Sequence, residues 1–274
     1  MLELPEASAI SQQLNEITIG KRIMNVVAAQ HPHKFAWYFG DPQGYHELLY
    51  DKTINKVASH GGFVEVIAED VCVLLCDGIN LRYYQEGEKL PTKHQLNIEF
   101  EDYSSLIASV QMYGGLYAYP AGQNTNPYYL TAKEKPNLFS KGFDEAYFNS
   151  ILKETTKDIS LKALLATEQR IPGLGNGVLQ DILYNAKLHP KKKISTLSDS
   201  DIRILFHSIK DTLAEMTISG GRNTERDLFG CFGGYSTKLC KNTSDEPCKV
   251  CGDTIKKEAY MGGSIYFCPT CQKL

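Results

Sequence analysis

The chain of 274 residues has a single tryptophan and no strong excess of either charge. It also lacks any apolar run near the roughly 20 residues that span a bilayer, which predicts a protein with no membrane partner. The opening Met1-Leu2-Glu3-Leu4-Pro5-Glu6 is acidic and unlike a secretory signal, so a cytoplasmic location is expected. A net charge of −3 excludes a simple polycation that would coat nucleic acid by charge alone. The charge is uneven: residues 1–139 carry 10 Lys+Arg against 16 Asp+Glu, and residues 140–274 carry 19 against 16. A cleft can still gather positive side chains from such a chain, so composition leaves DNA binding open.

Cysteine is plentiful, with eight residues, and four are patterned. Cys248 and Cys251 are followed after sixteen residues by Cys268 and Cys271. Two CxxC pairs at this separation suit a tetrahedral thiolate cage around one structural Zn2+, and disulfides fit poorly with a chain that lacks a secretory opening. The intervening segment has the length of a β-hairpin too small to fold alone, so metal binding would supply its folding energy. By itself such a ribbon can hold nucleic acid, hold a protein, or only staple a fold. Cys72 and Cys76 read as core thiols on a strand, and Cys231 and Cys240 have no metal-like spacing.

Pro5 and Glu6 mark the first turn of a helix whose buried stripe is Ile10, Leu14 and Ile17. From about Ile23 to Tyr119 short alternating runs take over. Val64 and Val66 oppose Val71, Val73 and Leu75, and Ile98 and Phe100 oppose Leu106, Ala108 and Val110. Hairpins of this kind predict a sandwich or barrel-like sheet. Residues 120–140 hold three prolines and little periodicity, as an interdomain linker would. Four helices are then expected, over about Asp144–Lys153, Ser160–Thr167, Val178–Ala186 and Ser198–Ser219, the last opened by a Ser198-x-x-Asp201 capping box. The expected units are 1–120, a linker at 121–140, a helical domain at 141–244 and a zinc finger at 245–274.

The turn Arg170-Ile171-Pro172-Gly173-Leu174-Gly175-Asn176-Gly177 joins two amphipathic helices. Val178, Leu179, Ile182 and Leu183 form the expected buried face of the second helix, which leaves Gln180 and Asp181 outward. The unpaired amides of that helix start are an anion site to which Asn176 can add a donor for a phosphate. A plain helical hairpin fits the same residues. Taken with its neighbours, LLATEQRIPGLGNGVLQDILYNAKLHP resembles the helix–two-turn–helix of the formamidopyrimidine-DNA glycosylase/endonuclease VIII family. MLELPEA resembles the family's MPELPEV opening. Ser219-Gly220-Gly221-Arg222-Asn223-Thr224 is similar to its Gly-Gly loop, and YFCPTCQ to its zinc-finger ending. These matches run in order over essentially the whole chain.

The resemblance implies an α+β fold: an N-terminal β-sandwich with a leading helix, then a helix–two-turn–helix domain with a C-terminal zinc-finger β-hairpin. DNA would lie in the cleft between them. It further implies a base-excision-repair DNA glycosylase with AP lyase activity, acting as a monomer on double-stranded DNA that carries a damaged base or abasic site. In that chemistry the damaged nucleotide is flipped out and the terminal amine attacks C1′. The base leaves, and the resulting Schiff base drives β,δ-elimination. Glu3 would assist by proton transfer, with donors and a positive dipole supplied by its place before the first helix.

Four departures from the family pattern bear on mechanism. Leu2 replaces the nucleophilic proline, and its bulk predicts that Met1 is retained, so the nucleophile would be the Met1 amine, one residue further out. The family's lysine in the sheet domain aligns with Gly62, with Lys52 and Lys56 out of register. Its phosphate-gripping hairpin arginine aligns with Gly263, where Lys256, Lys257 or Arg222 would have to compensate. The void-filling arginine aligns with Gln111, leaving Met112 and Tyr113 as wedges. The basic run after His189 reads as solvated, with DNA backbone as its alternative partner. Two readings follow: a glycosylase, with or without lyase activity, and a DNA-damage-binding protein that has lost the chemistry.

Overall fold

Pro5 stands in the first turn of helix α1 (Leu4–Thr18), where its missing N–H costs nothing. Leu4 joins the core of the C-terminal half, while Ala7, Ile10 and Leu14 enter the core of the N-terminal half. One helix therefore ties the two together. The computed structural model describes residues 1–274.

Strands β1 (Ile23–Ala28), β2 (Ala36–Trp37), β3 (Ile54–His60), β4 (Phe63–Ala68), β5 (Val71–Tyr84), β6 (Leu96–Phe100) and β7 (Ser105–Pro120) form one sheet, with helix α2 (Tyr45–Leu49) between β2 and β3. The order is β1-β6-β7-β5-β4-β3, antiparallel throughout, with β2 added parallel to β7. The predicted hairpins hold: Val66 pairs with Val73, and Ile98 with Leu106. Strands β5 and β7 are long, and their register slips between Asp77 and Ile79. Such a bulge bends a strand. Val26, Ile98 and Leu106 from one end share a core with Val57, Val64 and Val73 from the other, so the sheet folds over itself as a sandwich.

Residues 121–140 are more ordered than expected. Helix α3 (Pro127–Glu134) begins where the Asn126 side chain accepts from the amides of Tyr128 and Tyr129. It lays Tyr129 and Ala132 on Phe63, Cys72, Leu74 and Cys76, the second face of the sheet. With two buried positions in eight residues it leaves no detectable period. Cys72 and Cys76 are core thiols, as read.

The C-terminal half holds α4 (Glu145–Glu154), α5 (Leu161–Ala166), α6 (Val178–Asn185) and α7 (Asp199–Ile218), then the hairpin β8 (Lys256–Tyr260) and β9 (Gly263–Phe267). Asp144, Ser160 and Ser198 cap their helices, and Ser198 with Asp201 makes the predicted box. Phe148, Leu179, Ile182, Leu205, Ile209 and Leu213 form the core. The expectation that Gln180 and Asp181 face outward is corrected: both are buried. Asp181 accepts from the amides of Lys238 and Leu239, and Gln180 bonds to Ser264 and Tyr266 on β9. The polar side of α6 holds down the rest of the C-terminal region rather than meeting water. His189 is also buried, its ring 4.3 Å from that of Phe267.

Candidate active site in the interdomain cleft

The N-terminal residues run between the two halves and are pinned to both. The Leu2 amide donates to Asp77 O at 2.7 Å on the sheet side, and the Leu4 amide donates to Gly173 O at 2.9 Å on the helical side. Around them lies a cavity of about 510 Å³, lined by Met1, Leu2, Glu3, Gly62, Asp77, Met112, Tyr113, Lys162, Asn176 and Gly263 among others. A groove of similar size over α7, between Asn185 and His207, gathers none of these groups.

Glu3 is buried. It caps α1 by position, yet makes no side-chain bond there. Its donors come from elsewhere: Gly177 N lies 2.9 Å from Oε1 and Val178 N 2.7 Å from Oε2. The positive helix end that receives Glu3 is thus that of α6, on the helical side of the cleft. A Cβ on Gly175 would stand 2.5 Å from Glu3 Oε1, and one on Gly177 would stand 1.6 Å from Arg222 Nη1. The turn is glycine-rich because Glu3 and Arg222 fill the space beside it. Burial pushes the Glu3 carboxyl above the ordinary glutamate range. Arg222 opposes this, Glu6 adds to it, and the amides of Gly177 and Val178 pull it back in part.

Arg222, expected at the DNA backbone, is 3% exposed. Its Nε and Nη2 grip the two oxygens of Glu6 at 2.9 and 2.8 Å, its amide bonds Glu6 Oε1, and Nη1 stands 3.6 Å from Glu3 Oε2. Burial works against its charge, but Glu3, Glu6 and Glu225 together raise its pKa. A guanidinium between two buried carboxylates has no reach for a ligand. The same loop supplies Glu225, whose Oε2 lies 2.5 Å from the Met1 ammonium.

On the opposite wall the Asn176 side chain donates to Ser264 O at 3.0 Å, so its amide nitrogen is committed to the hairpin, while Oδ1 is buried without a partner. Lys162, on α5, is buried, donates to Tyr260 O at 2.5 Å and has its pKa lowered by burial. The sequence offered one sign of it: a lysine set into the otherwise apolar Leu161-Lys162-Ala163-Leu164-Leu165. Nothing local marked Glu6 or Glu225, whose partners are distant in sequence. Met112 is 68% exposed at the cavity mouth. Tyr113 is half-buried beside it. Lys256 and Lys257 are exposed on β8 and do not line the cavity.

The sulfurs of Cys248, Cys251, Cys268 and Cys271 all lie within 4.8 Å of one another. Cys248 Sγ is 3.8 Å from Cys271 Sγ, and Cys251 Sγ is 3.4 Å from Cys268 Sγ. Tetrahedral zinc with Zn–S bonds of about 2.3 Å requires sulfur pairs about 3.8 Å apart, so the four-cysteine cluster fits that metal.

Residues 135–227 match the model of the formamidopyrimidine-DNA glycosylase H2TH domain. The formamidopyrimidine-DNA glycosylase of Cytobacillus firmus is 27% identical over 99% of this chain and 100% of its own length. That of Lactococcus lactis subsp. cremoris is 28% identical over the full length of both. Among solved structures, Lactococcus lactis Fpg (MutM) in complex with DNA containing N7-benzyl-Fapy-dG superposes with a TM-score of 0.85, at 26% identity over 99% of this chain and 100% of that one. The same Lactococcus protein on DNA containing an abasic site gives 0.85 at equal coverage. The chain carries a formamidopyrimidine-DNA glycosylase H2TH domain over residues 135–227 and is similar along its whole length to glycosylases of that name.

Against the family pattern set out above, Gly62 and Gly263 line the cavity without charge. A Cβ on Gly62 would meet Leu2 O at 2.9 Å, so the N-terminal segment occupies the room a side chain needs there. A Cβ on Gly263 would lie 3.4 Å from Lys162 Nζ, and Lys162 is therefore the cation nearest the place of the family's arginine.

Proposed function

We propose that this protein is a base-excision-repair DNA glycosylase with AP lyase activity, using the Met1 amine as nucleophile on duplex DNA that carries a damaged base or an abasic site. One observation carries the reading: Met1 and Glu3 line a single cavity with the H2TH turn, and the amides of that turn hold the Glu3 carboxylate. The DNA complexes of the Lactococcus relative, with a modified base and with an abasic site, support the ligand class. In this reading a flipped nucleotide enters the cavity. Deprotonated Met1 N attacks C1′, Glu3 delivers a proton at the sugar ring, and the base departs with the electrons of its bond to C1′. The substituted amine loses one proton, and its lone pair forms the C1′=N bond of the protonated Schiff base as the C1′–O4′ bond opens, the proton from Glu3 going to O4′. Abstraction of the C2′ proton then expels the 3′ phosphate. In this reading Lys162 meets phosphate from the hairpin side, joined by Asn176 once its amide is released from Ser264 O, and Met112 and Tyr113 fill the space the base leaves. The four cysteines hold one structural Zn2+, whose charge fixes the hairpin and takes no part in the reaction.

A second reading has its own support. The Met1 ammonium is tied to Glu225, and neither Gly62 nor Gly263 supplies a cation, as in a damage-binding protein without chemistry. Borohydride trapping on a duplex with an abasic site separates them. A covalent adduct that disappears when the terminus is acetylated is expected. Tight binding with no adduct, no base release and no strand cleavage would favour the binding protein. Base release without an adduct would indicate a glycosylase in which Glu3 activates water.

A further inference from the structure

The only tryptophan of the chain, Trp37, is 43% exposed on the two-residue strand β2. It does not serve the main core. Strand β2 is held against β7 by pairing Ala36 with Gly114 and Trp37 with Gly115, next to the Met112-Tyr113 segment at the cavity mouth. The Trp37 ring lies 5.7 Å from that of Tyr113, tilted by 36°. Phe35 is exposed on the same strip, with Lys34 Nζ 5.3 Å from its ring centre and the His33 ring 6.5 Å away. Large apolar side chains held together in water are costly and mark a binding surface. Here they are aromatic, interleaved with basic groups, and continuous with a cavity in which a base is proposed to be handled. A nucleobase has a face that stacks on any aromatic ring, and its phosphate suits the adjoining Lys34 ammonium.

We propose that Trp37 and Tyr113 form a stacking platform for an unstacked nucleobase at the mouth of the cleft, with His33 and Lys34 facing the neighbouring phosphate. This rests on the DNA reading above, and the test separates the two. The full-length protein is titrated into a dye-labelled duplex containing a tetrahydrofuran abasic site. Dye anisotropy reports binding, while the emission of Trp37, undiluted by any other tryptophan, reports stacking. The expected result is quenching of Trp37 that saturates at the same stoichiometry as anisotropy. Trp37→Ala should weaken binding by about 5- to 100-fold, and Trp37→Phe should stay within about threefold of the wild type. If anisotropy does not change, the DNA reading itself fails. If anisotropy saturates while Trp37 emission stays constant, or if a folded Trp37→Ala protein binds as tightly as the wild type, the platform is wrong and DNA binding stands. The emission measurement needs no variant, so it decides the matter even if Trp37→Ala misfolds.

Discussion

Glu3, Glu6 and Arg222 are all buried, and a buried ion cluster tolerates the loss of its cation badly. Arg222→Met leaves two carboxylates facing each other, and is expected to cost about 3–5 kcal/mol of stability, read as a lower urea midpoint with an unchanged slope. The cluster also sets a pH dependence. The Glu3 carboxyl is raised above its ordinary value, so in the folded protein it stays protonated to higher pH than in the unfolded chain. The stability this contributes is full below the unfolded value and is lost as pH rises through the folded one. The same proton serves the sugar ring, so base release should fall as pH climbs through the raised Glu3 value, forming the alkaline side of the profile. Because Arg222 lowers the Glu3 value, Arg222→Lys, whose point charge reaches Glu3 less well, should move that falling limb to higher pH. A limb at the same pH in both proteins would mean that the guanidinium does not act on Glu3.

At the scale of elements, α6 is the joint between the glycine-rich turn at Glu3 and the four-cysteine hairpin. Gln180 bonds to Ser264 and Tyr266, Asn176 to Ser264, and the Gln272 side chain to Leu188 O. The hairpin has only β8 and β9, too few strands to stand alone in water. Zinc removal by a strong chelator is therefore expected to release one equivalent of metal and open Lys256 and Lys257 to trypsin, while the sheet domain stays resistant. Helices and hairpins of this protein were legible beforehand because each is announced locally: Ser198 and Asp201 lie three residues apart, and Val66 opposes Val73 across a tight turn. Helix α3 was not legible because only Tyr129 and Ala132 are buried on it. The burial of Gln180 and Asp181 was missed for a related reason. A polar residue reads as outward unless its partners are known, and the partners of Asp181 lie in the segment around Lys238.

For the whole molecule, the cleft is assembled from residues that are remote in the chain. The Glu6–Arg222 contact spans 216 positions, and no periodicity or spacing rule can announce it. The motif placed Glu3 in the cleft but gave Arg222 to DNA, because sequence cannot tell a buried arginine from a solvated one. The same geometry decides which departures from the family can be reversed. Gly62 lies against Leu2 O, so a lysine there would displace the segment that carries Met1 and Glu3. Gly263 has an ordinary negative-φ backbone and open contacts of 3.4 Å or more, so a side chain fits. Gly263→Arg should therefore fold as the wild type and add one phosphate contact from the hairpin. Each such contact steepens the dependence of log affinity on log salt by about 0.9. Anisotropy titrations of the tetrahydrofuran duplex at several KCl concentrations should show tighter binding at low salt and a slope steeper by about that amount. An unchanged slope would place the hairpin turn out of reach of the DNA backbone, and would leave Lys162 and Asn176 without the phosphate contact assigned to them.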